Sequence, residues 1–269
     1  MNVDPTTDRY FQLLEALGQA VIVTDAHGVI LLWSDAASAL YGRRAREVTG
    51  RNVLEVTPIE MSRAQGAEIM QVLGRGELWS GEFQVQTRGG KAATASVTDI
   101  PLIGEGGSVA AVIGVSAVSR TPTKLRPLLK RFEKACDKIW PGQITFAIDV
   151  PAKASLPAAE PHMIQLLAVL ILLHADTLDR GSGLEMMAGA ADQSPFADFG
   201  LAFASSALYM RIERRQHATY SVLRSLPLSA EPTKYASALV RMVGGMLISS
   251  TAPEGLNAMH LFLPLDADR

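Results

Sequence analysis

Histidine, cysteine, indole and guanidinium groups are the side chains of this sequence that could do chemistry. Five histidines are present, His27, His162, His174, His217 and His260. His174 sits in an apolar run, where an imidazole satisfied by one hydrogen bond is the plainer reading and a metal or phosphate contact the sharper one. His260 reads the same way. The one cysteine, Cys136, cannot close an internal disulfide or build a thiolate metal cluster by itself, and a buried, inert thiol is preferred to a redox sensor. Trp33 and Trp79 could stack on a cofactor, although aromatic residues beside a small sheet usually serve the core. The run Arg211, Glu213, Arg214 and Arg215 could hold a partner or a phosphate, with a solvated strand edge as the preferred explanation.

The elements that must position these groups fall into two halves. A length of 269 residues favours two domains, and 48% hydrophobic with 19% charged residues is the composition of a globular chain. With a formal net charge of -2 there is no electrostatic reason to expect nucleic acid or an anionic membrane surface as partner. The first residues lack the basic start and apolar core of a signal peptide. The most apolar run, Met163 to Leu173, is too short to span a bilayer. The expected location is therefore the cytoplasm.

In the first half, helical spacing from Asp8 to Gly18 precedes two β-rich runs, Ala20 to Asp25 and Val29 to Ser34, joined by Ala26-His27-Gly28 as a hairpin. Asp35 to Tyr41 is helical and Gly42 ends it. Short helical turns continue to Val72. Gly81 to Thr87 and Ala92 to Ile100 form a second hairpin, and Val109 to Val118 closes an antiparallel sheet of about five strands. Three features carry a resemblance: the hairpin Val-Ile-Val-Thr-Asp-Ala-His-Gly-Val-Ile, the helix end Ala-Leu-Tyr-Gly, and Glu-Leu-Trp-Ser-Gly-Glu before the later strand. Val48-Thr49-Gly50-Arg51-Asn52 adds a fourth marker.

On these residues the segment Asp8 to Ser119 resembles the PAS family. The resemblance implies a sensor and dimerisation domain over residues 1–119, a homodimer, and a small-molecule cavity with Trp33, Tyr41, Val53, Trp79 and Phe83 as candidate lining residues. A flavin-adduct sensor of this family carries a cysteine immediately after the Gly-Arg-Asn run, and here that place is Val53. Thiol chemistry is thereby excluded, while noncovalent flavin stays open. Haem is not expected, because Ile59 to Leu73 holds no histidine. The cofactor is left unassigned.

In the second half, Leu125 to Ile139 is helical, Gln143 to Val150 is a strand and Pro151 to Pro157 a loop. An apolar helix follows from Pro161 to Leu178. Strands are expected at Leu184 to Ala188, Gly200 to Ala204, Leu208 to Glu213 and Tyr220 to Leu223, then a helix from Thr233 to Val243. Met246 to Ser250 and Ala258 to Pro264 make a closing hairpin. The end, Leu-Val-Arg-Met-Val-Gly-Gly-Met-Leu-Ile-Ser-Ser-Thr-Ala-Pro-Glu-Gly with Leu-Phe-Leu-Pro-Leu, and the stretch Leu-Pro-Ala-Ala-Glu-Pro with its helix, resemble the ATP-binding domain of histidine kinases.

That resemblance implies an α+β chain, a PAS fold (a five-stranded antiparallel sheet with helices) followed over residues 120–269 by an α/β sandwich of histidine-kinase ATPase type. It also implies decay. Aligned from Glu160, the positions of the family's magnesium-holding asparagines are Leu170 and His174, and magnesium needs oxygen ligands. No Asp-x-Gly-x-Gly turn occurs between Gly183 and Ser229. The stretch Ser229 to Tyr235, where a glycine-rich phosphate loop belongs, contains none and includes Pro232. No acceptor helix fits between Ser119 and Leu125. The expectation is a noncatalytic regulator that docks a protein partner in a signalling pathway, with no metal and no catalytic residue. The alternative is a divergent kinase that still binds or hydrolyses ATP.

Overall fold

Ala20–Asp25 (β1) is apolar and buried over almost its whole length, so it must lie inside a sheet and not at its edge. It pairs antiparallel with Ile30–Trp33 (β2) on one side and with Val109–Val118 (β5) on the other. Trp79–Gln86 (β3) and Ala92–Ile103 (β4) complete a five-stranded sheet in the order β2-β1-β5-β4-β3. The expected antiparallel sheet is therefore present.

Short helices occupy the chain between β2 and β3. Asp35–Tyr41 (α2) starts where Ser34 caps it: the hydroxyl oxygen accepts from the backbone N–H of Ala37 at 3.1 Å and of Val21 at 3.0 Å. One side chain thus begins the helix and ties it to β1. Ala45–Val48 (α3), a 3₁₀ turn at Val53–Glu55 and Arg63–Gly74 (α4) follow. Helices α2 and α3 and the 3₁₀ turn share one core with Ile22, Ile30, Trp33 and Val85, whereas Ile69 and Leu73 of α4 pack in a second cluster with Val112. Ahead of the sheet, Pro5–Ala16 (α1) begins earlier than Asp8, consistent with proline being preorganised for a first helical turn.

The computed structural model describes residues 5–57, 63–104, 106–119, 122–174, 183–190, 207–214, 223–224, 231–252 and 255–265. The chain divides into two units, Leu14–Ser119 in one and Met1–Leu13 with Arg120–Arg269 in the other.

In the second unit Leu125–Ile139 (α5) buries Leu125, Leu128, Leu129, Phe132 and Cys136 at helical spacing, one apolar stripe on an otherwise charged helix. Thr123–Lys124 (β6) pairs with Ser155–Leu156 (β8), so the stretch expected as a loop from Pro151 to Pro157 contains a strand. A ladder two residues long has no periodicity to read. Ile144–Ile148 (β7), Leu184–Ala190 (β9), Ala207–Arg214 (β10), Leu223–Arg224 (β11), Met246–Ala252 (β12) and Gly255–Pro264 (β13) form a six-stranded sheet in the order β11-β12-β13-β10-β9-β7. Only the β7 and β9 pairing is parallel. Glu160–Leu172 (α6) joins them, packed against α5 and Glu231–Met242 (α7).

Helix α6 ends at Leu172 instead of reaching Leu178, and residues 175–182 lie outside the described set. The strand expected at Gly200 to Ala204 is outside it too, and the one at Tyr220 to Leu223 is described only at its last position. Strand β10 has neighbours on both sides, which corrects the reading of Arg211, Glu213 and Arg214 as a strand edge. Arg211 and Glu213, two apart on one face, pair instead at 3.0 Å, while Arg215 and His217 lie outside the described residues. Among the described residues no helix is long and apolar enough to cross a membrane.

Candidate functional site

Beneath the inner face of the first sheet lies a cavity of about 350 Å³, within the range of small-ligand sites. Its floor is set by pleat: Ile22, Val97 and Val112 alternate with outward neighbours on three adjacent strands. Its other wall is Val53 from the 3₁₀ turn with Ile69 and Leu73 from α4. Leu54 and Met70 line the mouth and are 50% and 45% exposed, a clear departure from the buried walls.

Asp99 is the exception in this apolar lining. It stands opposite Gly114 in the β4 and β5 register, and a Cβ added at 114 would come to 3.0 Å from its Oδ1. Glycine there makes the room in which the carboxyl lies. Burial pushes that carboxyl up to about 7 from 3.8, and the residue lines the cavity. Among the described residues nothing donates a hydrogen bond to it. By contrast the Tyr41 hydroxyl and Ser116 Oγ, also in the wall, satisfy each other at 2.8 Å, and burial raises the Tyr41 phenol to about 12. The Thr24 and Thr57 hydroxyls also line it, Thr57 donating to the Val53 carbonyl at 3.0 Å.

The mouth is held by an asparagine. Asn52 Nδ2 donates to the His27 carbonyl at 3.0 Å while its Oδ1 accepts from Leu54 N–H at 3.0 Å, joining the β1 and β2 turn to the 3₁₀ turn. Asp25 Oδ1 accepts from Val29 and His27 N–H at 2.9 and 2.8 Å, and these bonds, Val29's first, hold its carboxyl below the usual range. Asn52→Ala removes both a cap and a cross-link. It is expected to lower the urea-derived stability of this unit by about 1 to 2 kcal/mol, and an unchanged midpoint would refute the role.

Of the residues singled out from sequence, Tyr41, Val53 and Phe83 line the cavity. Trp33 and Trp79 stand outside the lining. Trp33 packs on Tyr41 at 5.4 Å and its Nε1 donates to the Arg43 carbonyl at 3.0 Å. Trp79 stacks on Phe83 at 5.4 Å and lies over Gly81. Sequence reading passed over Asp99, Thr24 and Ser116. The available signal was Asp99 sharing a strand face with Val97, a charge at an apolar position of the alternation.

The segment 8–116 matches the PAS fold family. Residues 8–116 are a PAS domain. No curated protein matches the chain by sequence. Among solved structures, the Erythrobacter litoralis EL346 blue-light activated histidine kinase aligns over 93% of this chain and 97% of its own, at 10% identity and a TM-score of 0.46. The PAS domain of an HTR-like protein from Haloarcula marismortui aligns over 42% of this chain and 91% of its own, at 21% identity and 0.35. A PAS domain from Colwellia psychrerythraea covers 43% and 97%, at 20% identity and 0.35.

Outside the PAS domain, the positions read as a degenerate nucleotide site fall on α6 (Glu160 and Leu170) and two residues past its end (His174). Glu160 Oε1 accepts from Arg131 Nη2 at 2.7 Å, a partly exposed pair at the first turn where a carboxylate also suits the helix dipole. Leu170 is buried, and so is His174, whose Nδ1 lies 3.2 Å from the Leu170 carbonyl as donor to it. Helix α6 is apolar on nearly every side, with every residue from Met163 to Ile171 buried, so neither position presents a group to solvent. Cys136 is buried, which raises its thiol further. Among the described residues no group of three or more histidines, cysteines or carboxylates could hold a metal. The stretch Ser229 to Tyr235 is described from Glu231, where it is the first turn of α7.

Proposed function

We propose that the chain is a cytoplasmic signal-transduction regulator, in which the PAS cavity binds a small molecule and residues 120–269 are a histidine-kinase-type ATPase scaffold that docks a protein partner without phosphotransfer. The observation that carries this reading is the PAS cavity, largely apolar and holding, among the described residues, one carboxyl without a protein donor. Two features of the second unit support the noncatalytic part. The side chains at 170 and 174 are turned to packing. The double glycine of the terminal hairpin, which would otherwise favour a working kinase, has a packing cause: a Cβ at Gly245 would come to 2.8 Å from the Phe262 carbonyl oxygen.

The direct test is absorbance and mass spectrometry of the purified protein for a copurified small molecule. Recovery of a stoichiometric ligand that is lost from a cavity-filling variant is the expected result. For the second unit, ATP with magnesium is expected to leave the unfolding midpoint unchanged. A site filled at a hundred times its dissociation constant would add about 2.7 kcal/mol, and a shift of that size would restore the reading as a nucleotide-binding enzyme.

A further inference from the structure

Charge selects what this cavity can hold. Among the described residues its ionisable lining groups are Asp25, His27, Tyr41 and Asp99, with neither lysine nor arginine. Asp25 is engaged by two backbone donors at the mouth, and Tyr41 is engaged by Ser116. Among the described residues, Asp99 is the lining carboxyl whose oxygens are unspent. An anionic ligand would be accepted only with Asp99 protonated, because two negative charges together in an apolar surround are costly. A neutral hydroxyl would satisfy one lone pair. An ammonium supplies both the missing donor and the missing countercharge, and a charge-assisted bond is about twice as strong as a neutral one.

We propose that the ligand is an apolar amine, seated with its ammonium on the Asp99 carboxylate above Gly114 and its hydrocarbon part against Ile69, Leu73 and Phe83. This rests on the reading of the cavity as the sensor site. The volume suits a single ring or a short branched chain, near the lower limit for ligand cavities. Tyr41, close enough to Asp99 to feel its charge, offers aromatic surface beside the charged end, a further preference for a cation over an anion.

The test uses the full chain and three probes of one shape, 2-phenylethylamine, 2-phenylethanol and phenylacetate, titrated calorimetrically at neutral pH. The amine is expected to bind about tenfold tighter than the alcohol, and the acid more weakly than either. Asp99→Asn is expected to bring the amine down to the affinity of the alcohol while the alcohol holds its own. Phenylacetate binding as tightly as the amine, or an unchanged amine-to-alcohol ratio in Asp99→Asn, overturns the assignment of an amine and leaves the cavity reading standing. Absence of binding by all three probes counts against the cavity itself. So does undiminished binding to Val97→Trp, checked for native circular dichroism.

Discussion

Asp99→Asn is expected to raise the stability of the PAS domain by about 2 kcal/mol at pH 8 and to leave it nearly unchanged at pH 4. The unfolded chain releases the Asp99 proton near 3.8, whereas the folded domain keeps it up to about 7. A group whose folded value is raised contributes stability that is fully present below the unfolded value and is lost as pH climbs to the folded one. The window is therefore pH 4 to 7, with a plateau above. A shift of three units corresponds to about 4 kcal/mol, and water inside an open cavity reduces this by about half. Asparagine keeps the shape without the charge, so its curve should be flat across the same window. Urea midpoints at pH 4, 6 and 8, followed by Trp33 and Trp79 fluorescence in a Trp140→Phe background, read the difference. Parallel curves for parent and variant would show that the carboxyl is solvated.

The second unit should respond to acid in the opposite sense, losing about 2 kcal/mol between pH 7 and pH 4. His260 is 1% exposed and its Nδ1 lies 2.8 Å from the Tyr209 hydroxyl; the two rings are stacked, with centroids 6.0 Å apart. Burial first, and the Arg211 charge second, pull its imidazole from 6.5 down to about 4. The unfolded chain therefore binds a proton near 6.5 that the folded unit refuses until about 4. Stability is complete above 6.5 and falls as pH drops through that interval. The full shift corresponds to about 3 kcal/mol, discounted here for local relaxation around the charged ring. Trp140 fluorescence, with Trp33 and Trp79 replaced by phenylalanine, follows this unit alone. His260→Asn should flatten the slope, whatever it does to the level, and a slope that survives would assign the acid sensitivity elsewhere.

How much of this was legible in the sequence depends on the length scale of the signal. The strand runs around Val23, Phe83 and Val115 alternate or stay apolar over several residues, and the antiparallel sheet followed from them. Leu125 to Ile139 carries a clean helical stripe, and its ends were read correctly. Tyr41, Val53 and Phe83 were candidates through the PAS resemblance, and they line the cavity. Trp33 and Trp79 were candidates as rings able to stack on a cofactor; large rings go where most apolar area can be buried, which here is beside the cavity. Asp99 was missed because a lone carboxylate in a strand reads as solvent-facing until the register puts Gly114 opposite it. The β6 and β8 ladder was missed because pairing between residues some thirty apart leaves no local trace.

Helix α6 also bears on how the protein fails when heated. A thirteen-residue segment with almost no polar face is harmless while it is buried against α5 and α7. Released by melting, it offers a sticky surface to other opened chains faster than it can find its place again. Thermal scans of this chain should therefore be irreversible and depend on heating rate and protein concentration, reporting a lifetime and not an equilibrium.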